Sequence, residues 1–160
     1  MAPVDLLVLY ASVTGNAQDV AEQIWRDAKR HGHSGTSVLS PCTPAPIAHA
    51  PLRAAPASRS HGLSVLLPAA RLYPTDAYDI HRLPAESHVV FVASTTGQGE
   101  PPPSFKSFWT FLLQRHLPGT ALAGLRFAVF GLGDSAYIGY NLVAKRLFRR
   151  IVQLGASPLT

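Results

Sequence analysis

Hydrophobic positions along the chain alternate between short unbroken runs and helical spacings. Leu6-Leu7-Val8-Leu9-Tyr10 is a continuous apolar run, the pattern of a strand buried on both faces of a parallel sheet. A polar loop, Ala11 to Ala17, follows. Val20, Ala21, Ile24, Trp25 and Ala28 then fall at helical spacing and predict a helix from Gln18 to His31 that ends near Gly32. His88 to Ala93 is the clearest strand. It runs into Ser94-Thr95-Thr96-Gly97-Gln98-Gly99-Glu100 and then Pro101-Pro102-Pro103, a rigid lead-in to a helix with an apolar face of Phe105, Phe108, Trp109, Leu112 and Leu113. A further strand, Leu125 to Phe130, leads through Gly131-Leu132-Gly133-Asp134-Ser135-Ala136-Tyr137 into a helix from Asn141 to Leu154. Its Leu147 and Ile151 face inward, its Lys145, Arg146, Arg149 and Arg150 face outward, and Gly155 forms its C-cap. Strand, loop and helix in repeated succession predict an α/β fold.

Between His33 and Ser64 the pattern disappears. Pro41, Pro44, Pro46, Pro51 and Pro56 interrupt any regular element there, and a loop of that length in a compact domain is expected to be disordered. A lineage-specific insertion and an error in the gene model are the other readings of the segment. Ser64 to Tyr73 then supplies the second strand, with Ala70 to Tyr73 its core. Ser157 to Thr160 read as the approach to a further strand.

The length of 160 residues suits one domain with a single core. No run of 18 apolar residues occurs, and the N-terminus has no basic region ahead of an apolar run, so neither a membrane span nor a secretory signal is expected. The lone Cys42 fits a reducing cytosol and offers no disulfide or metal set. The net charge of +5 is local. Lys29, Arg30, Arg53, Arg59 and Arg71 lie in a stretch without Asp or Glu, and removing those five from the 14 Lys and Arg leaves nine basic against nine acidic side chains. Without interleaved aromatics this stretch reads as a solvated basic loop, and no nucleic-acid partner is expected.

The candidate chemistry lies in three loops, each directly after a strand. In an open parallel sheet such loops converge where strand order reverses. Ser12-Val13-Thr14-Gly15-Asn16-Ala17 offers hydroxyls, an amide and backbone N–H groups at a helix N-terminus, an anion site built from neutral donors. It lacks the Lys of triphosphate-binding loops and the Gly-x-Gly-x-x-Gly of dinucleotide-binding folds, which leaves a phosphomonoester as its ligand. The bland alternative is a helix cap. The seven His and the Cys form no triad or metal spacing; His31, His33, His49 and His61 read as bystanders. Asp134 and Glu100 read as loop-shaping or ligand-neighbouring carboxylates and not as a catalytic pair.

Tyr10 to Ala17, Ala93 to Glu100 and Phe130 to Asn141 together resemble the FMN domain of the diflavin reductase family. Within it, the resemblance is strongest to the NADPH-dependent oxidoreductases of cytosolic iron–sulfur protein assembly. It covers Asp5 to Gly32 and Ala69 to Thr160 and implies a flavodoxin-like doubly wound sheet of order 2-1-3-4-5, with the fifth strand and last helix missing or incomplete. The whole chain, 1–160, is then one FMN-binding domain, truncated at its C-terminus, with a disordered insertion at 33–64. The resemblance implies that Ser12, Val13, Thr14, Gly15, Asn16 and Ala17 hold the FMN phosphate. Ser94, Thr95, Thr96, Gly97, Gln98 and Gly99 would wrap the ribityl chain and ring, with the Gly97 carbonyl near flavin N5. Leu132, Gly133, Asp134, Tyr137 and Asn141 would form the third loop, with Tyr137 stacked on the ring. Where several diflavin reductases carry a second stacking aromatic, this chain has Thr96.

No side chain is then expected to act as acid, base or nucleophile. The expected function is one-electron transfer by a cytoplasmic module that is not a complete enzyme alone, from an FAD/NADPH reductase module in cis to an iron–sulfur or haem protein. FAD and NADPH would enter only through downstream domains. The alternatives are a truncated, non-redox fragment with an interaction role, and a free-standing flavodoxin-type carrier.

Overall fold

A computed structural model describes residues 5–31 and 70–159. Along the chain these form β1 (Leu6–Ala11), α1 (Asn16–Arg30), β2 (Ala70–Pro74), β3 (His88–Ser94), α2 (Lys106–Leu112), β4 (Arg126–Leu132), α3 (Leu142–Gln153) and β5 (Ser157–Pro158). The five strands make one parallel sheet of order β2-β1-β3-β4-β5. Leu6 pairs with both Ala70 and His88, His88 with Arg126, and Arg126 with Ser157, so the strands start in line. The loops that leave β1, β3 and β4 therefore emerge along one edge.

Alternate residues of each strand face opposite sides, and both sides are covered. Leu7, Leu9, Val89, Phe91 and Phe127 pack against Phe105, Phe108, Leu112, Leu147 and Ile151. On the other side Val8, Leu72 and Val92 pack under α1 through Ala17 and Ala21, and the Trp25 indole donates to the Ala70 carbonyl at 3.0 Å. The small alanines bring α1 close to the sheet. At the far end of α3, Gly155 N–H donates to Val152 O and Ala156 N–H to Ile151 O, the paired bonds of a Schellman cap at the expected glycine.

Several boundaries move. The first helix begins at Asn16, two residues before the expected Gln18, because Gly15 adopts φ 96° as its N-cap and places Asn16 and Ala17 in the first turn. Strand β4 runs on to Leu132, carried by pairing to Ser94. Of the apolar face predicted for the second helix, Leu113 is exposed: the helix ends at Leu112, and its neighbour in sequence points elsewhere. A 3-10 turn, Pro103–Phe105, precedes that helix where the proline run limits regular hydrogen bonding. The fifth strand is present as two residues, with Leu159 N–H extending the pairing to Phe127 O. The segment expected to be disordered, 33–64, and the expected stop at Gly32 lie outside the described residues.

One element was not predicted. Ile80–Ala85 forms a 3-10 helix that carries Leu83 into the core and delivers Glu86, itself buried, to Arg71 of β2. Both terminal guanidinium nitrogens of Arg71 donate to the Glu86 carboxylate, and the Tyr78 hydroxyl donates to Glu86 Oε1 at 3.0 Å. Burial and then the neighbouring carboxylate push the Tyr78 hydroxyl far above its ordinary value, so it stays a donor at any physiological pH. Among the described residues no helix is long and apolar enough to cross a membrane, and no group of three or more His, Cys, Asp and Glu could hold a metal.

Candidate cofactor site

The first loop is shaped by its own serine. Ser12 Oγ accepts from Gly15 N–H at 2.9 Å and Ala17 N–H at 3.3 Å, pulling the turn closed over the start of α1. The left-handed Gly15 backbone makes that closure possible. Two of the amides expected to meet an anion are thus taken by Ser12. The amides of Val13, Thr14 and Asn16, the Thr14 hydroxyl and the Ser12 hydroxyl proton are left to do so. Tyr10, in β1 two residues before Ser12, has its hydroxyl raised above the ordinary value by burial, then by Glu22 and Asp76.

The middle loop leaves β3 at Ser94, whose hydroxyl donates to Ala11 O at 3.1 Å and so joins the first and middle loops at their roots. Thr95 N–H donates to Leu132 O at 2.8 Å, joining the middle loop to the third. Thr96 and Glu100 then pair as an antiparallel bridge, leaving Gly97 and Gln98 exposed at the tip. In the third loop, Asp134 Oδ1 accepts from Ala136 N–H at 2.8 Å and Asp134 O from Tyr137 N–H at 3.2 Å. The Asp134 carboxylate thus shapes the third loop, one of the two roles expected for it.

Between the middle and third loops lies a cleft of about 200 Å³ lined by Thr95, Gly97, Gly133, Asp134, Tyr137, Gly139 and Tyr140. Enclosed small-molecule pockets are commonly about 300–1,000 Å³, so this cleft is a small one, partly open to solvent. Tyr137, on the cleft wall, is 62% exposed. Thr95 Oγ1 is buried without a hydrogen-bond partner, and so is Asn141 Oδ1 at the base of the third loop. Buried polar atoms are nearly always partnered, and Thr95, on the cleft wall, is placed to bond a ligand. Neutral donors at a helix N-terminus, an uncovered aromatic and an orphaned hydroxyl suit a phosphate-bearing flat ring system.

The structure brings five of the seventeen residues predicted from sequence onto one cleft, and none of these five comes from the first loop. Thr95, Gly97, Gly133, Asp134 and Tyr137 line the cleft. Asn141 sits behind it as the left-handed residue (φ 52°) that caps α3, its amide packed 3.0–3.3 Å from where side chains at Gly131 and Gly133 would begin. The Ser94 side chain is committed to Ala11, and Leu132 ends β4 on the side of the sheet covered by α1. Sequence reasoning missed Gly139 and Tyr140. A Cβ on Gly139 would lie 2.8 Å from the Gly99 Cα, so the two loops touch backbone to backbone. Tyr140 stands on the cleft wall with Lys145 Nζ 5.5 Å from its ring centroid. The aromatic at 140, three residues after Tyr137, was the available signal.

A doubly wound parallel sheet with a phosphate-type loop and a flat cleft at its carboxyl edge defines a mononucleotide cofactor domain. The family model for flavodoxin matches residues 53–160, and the chain belongs to the flavodoxin family. It is 46% identical over 155 residues to the NADPH-dependent diflavin oxidoreductase 1 of Arabidopsis thaliana, covering 96% of this chain and 19% of that protein. It is 41% identical over 154 residues to the protein of the same name from Bos taurus, covering 96% and 20%. The chain thus spans about a fifth of the length of these curated relatives. Among solved structures, flavodoxin 2 from Bacillus cereus superposes with a TM-score of 0.62 at 22% identity, covering 98% of this chain and 80% of that one. A Streptococcus pneumonia TIGR4 flavodoxin gives 0.62 at 20%, covering 96% and 78%. These two establish the fold. The cofactor is FMN, and the chain is an electron-transfer module of the flavodoxin type.

Proposed function

We propose that the chain is the FMN module of an NADPH-dependent diflavin reductase. In this reading it takes electrons one at a time from an FAD module in the same polypeptide and passes them to an iron–sulfur or haem protein in the cytoplasm. The observation that carries the reading is the cleft between Thr95 and Tyr137, open to solvent, on a middle loop whose root is bonded to the root of the phosphate-type loop through Ser94 and Ala11. The identity to diflavin oxidoreductases over 96% of the chain supports the choice of reductase.

FMN supplies the electron-carrying chemistry, and the chain binds, orients and partly shields it. Ser12, Val13, Thr14, Gly15, Asn16 and Ala17 form the phosphate cradle: Ser12 holds the turn and the free amides and hydroxyls meet the oxygens. Thr95 gives the ribityl chain or ring a buried hydroxyl. Thr96, Gly97, Gln98 and Gly99 border one edge, Gly133 and Asp134 shape the opposite wall, and Tyr137 offers its ring face. Ser94, Leu132 and Asn141 hold the loop roots. No proton need be moved by a side chain, and the open cleft lets an acceptor come within transfer distance of the ring edge.

The test is transfer itself. The FMN-loaded chain, reduced by an NADPH-driven FAD reductase supplied in trans, is mixed anaerobically with a [2Fe–2S] protein and, separately, with cytochrome c. Reduction of either acceptor that depends on the loaded chain supports the reading; a reduced chain that passes electrons to neither overturns it.

A further inference from the structure

From Ser135 to Thr160 the chain carries Lys145, Arg146, Arg149 and Arg150 and no Asp or Glu. Arg150 turns toward α2, its Nε donating to Leu112 O at 2.6 Å. The other three are exposed on α3, with Arg149 four residues from Lys145 and three from Arg146. Like charges at these spacings repel, and cations near a helix N-terminus oppose its dipole. The first turn of α3 holds no carboxylate to offset them. The three ion pairs among the described residues, Arg26–Glu22, Arg30–Asp27 and Arg71–Glu86, lie on other elements. Helix stability therefore does not explain the cluster.

Its position does. Lys145 Nζ donates to Tyr140 O at 3.2 Å, and Tyr140 lines the cofactor cleft. Arg146 lines a shallow groove with Gly99 and Pro101, at the base of the middle loop. One cation thus adjoins the third loop and the next adjoins the middle loop. The carboxylates of these loops, Asp134 and Glu100, belong to none of the ion pairs above. Between Tyr137 and Gly139, both on the cleft wall, Ile138 projects fully into solvent. An apolar tip and a positive flank at one opening combine the two parts of a protein-docking patch.

We propose that Ile138, Lys145, Arg146 and Arg149 form the face on which the electron acceptor docks, and that this acceptor is a protein whose redox centre is surrounded by Asp and Glu. The proposal rests on the electron-transfer reading above and adds the partner's charge and the residues that meet it. Complementary charge acts chiefly on encounter rate and on the choice of partner. A reductase module in the same polypeptide is kept close by its tether and has no need of steering. A diffusing acceptor does gain from it. Positive charge at the opening therefore selects among acceptors, favouring acidic ones over basic ones.

The experiment pairs the reduced, FMN-loaded chain with two acceptors of opposite charge, the acidic blue-copper protein plastocyanin and basic cytochrome c. Their reduction is followed by stopped flow from about 20 to about 300 mM ionic strength. Plastocyanin reduction should slow about tenfold as salt rises. Arg146→Glu with Arg149→Glu should lower its low-salt rate about tenfold, remove most of the salt dependence and quicken cytochrome c. Arg146→Gln with Arg149→Gln should do about half as much on a logarithmic scale, and decides the matter if the Glu pair does not fold. Arg82→Glu with Arg115→Glu makes the same change in net charge at exposed residues leading into the starts of β3 and β4, the opposite edge of the sheet. That control should keep both rates within about twofold of wild type. Docking is also read without transfer, from NMR amide perturbations of the oxidised chain by oxidised plastocyanin, which should centre on Ile138 to Arg149. The proposal is overturned if the control pair matches the α3 pair, if the rates ignore the α3 pair, or if the perturbations centre elsewhere. A single-stranded oligonucleotide that displaces plastocyanin at lower concentration than plastocyanin itself also overturns it, since the face would then serve nucleic acid. If neither acceptor is reduced while the perturbations fall on α3, the transfer reading fails and the docking face stands.

Discussion

The Ser94 hydroxyl donates to the Ala11 carbonyl at 3.1 Å, joining the last residue of β3 to the last residue of β1. The first and middle loops leave from these two residues, so the bond sets their separation. Ser94→Ala should cost about 1 kcal/mol of stability, read by urea unfolding without flavin, and should weaken FMN binding as well. Unchanged values in both measurements would mean the bond positions nothing.

Ser12 closes the phosphate turn by accepting from two amides. Its replacement by alanine should destabilise the chain by about 1 kcal/mol, as for other lost helix caps. It should also reduce the preference for FMN over riboflavin, because only FMN carries the phosphate. Calorimetric titration with both ligands separates this from a general loss of binding, which would lower both affinities equally.

Tyr137 is largely exposed, and the hydrogen bonds it makes within the third loop run through its backbone. Tyr137→Ala should therefore leave the unfolding midpoint without flavin in place while weakening FMN binding by at least the roughly 0.5–1.5 kcal/mol of an aromatic pair. Tyr137→Phe should bind nearly as well as wild type. Equal binding by the alanine variant would remove the ring-stacking role.

His88 pairs in register with Arg126 across β3 and β4, and burial, then the arginine charge, lower its pKa from the ordinary 6.5. The folded state thus binds fewer protons than the unfolded state. Stability is full above pH 6.5 and falls as the pH drops through the window below it. His88→Gln should flatten that stretch of the stability–pH curve, measured by urea midpoints between pH 5 and 7.5. A curve with the same slope in the variant would assign the acid sensitivity elsewhere.

What was legible in the sequence was local. The runs at Leu6–Tyr10 and His88–Ala93 and the helical spacing of Val20, Ala21, Ile24 and Trp25 carry their structure in neighbouring residues, and so do the three loops that follow strands. The 3-10 helix at Ile80–Ala85 has no apolar period and contains Pro84, so nothing local announces it. The Arg71–Glu86 pair joins residues 15 positions apart, and the Gly99–Gly139 contact joins two loops that look unrelated until the sheet aligns their roots. The Ser12 and Ser94 hydroxyls were read as groups for the ligand. Each also bonds backbone: Ser12 accepts from two amides of its own turn, and Ser94 donates to Ala11 across the sheet, a contact set by strand register, which a sequence does not display.

The most direct test of the account is FMN uptake. The purified 160-residue chain, stripped of any flavin, is titrated with FMN and followed by quenching of flavin fluorescence and by the visible flavin bands. Saturation at one FMN per chain, with riboflavin bound more weakly, is the predicted result. A chain that stays colourless and leaves the fluorescence of added FMN unchanged would contradict it.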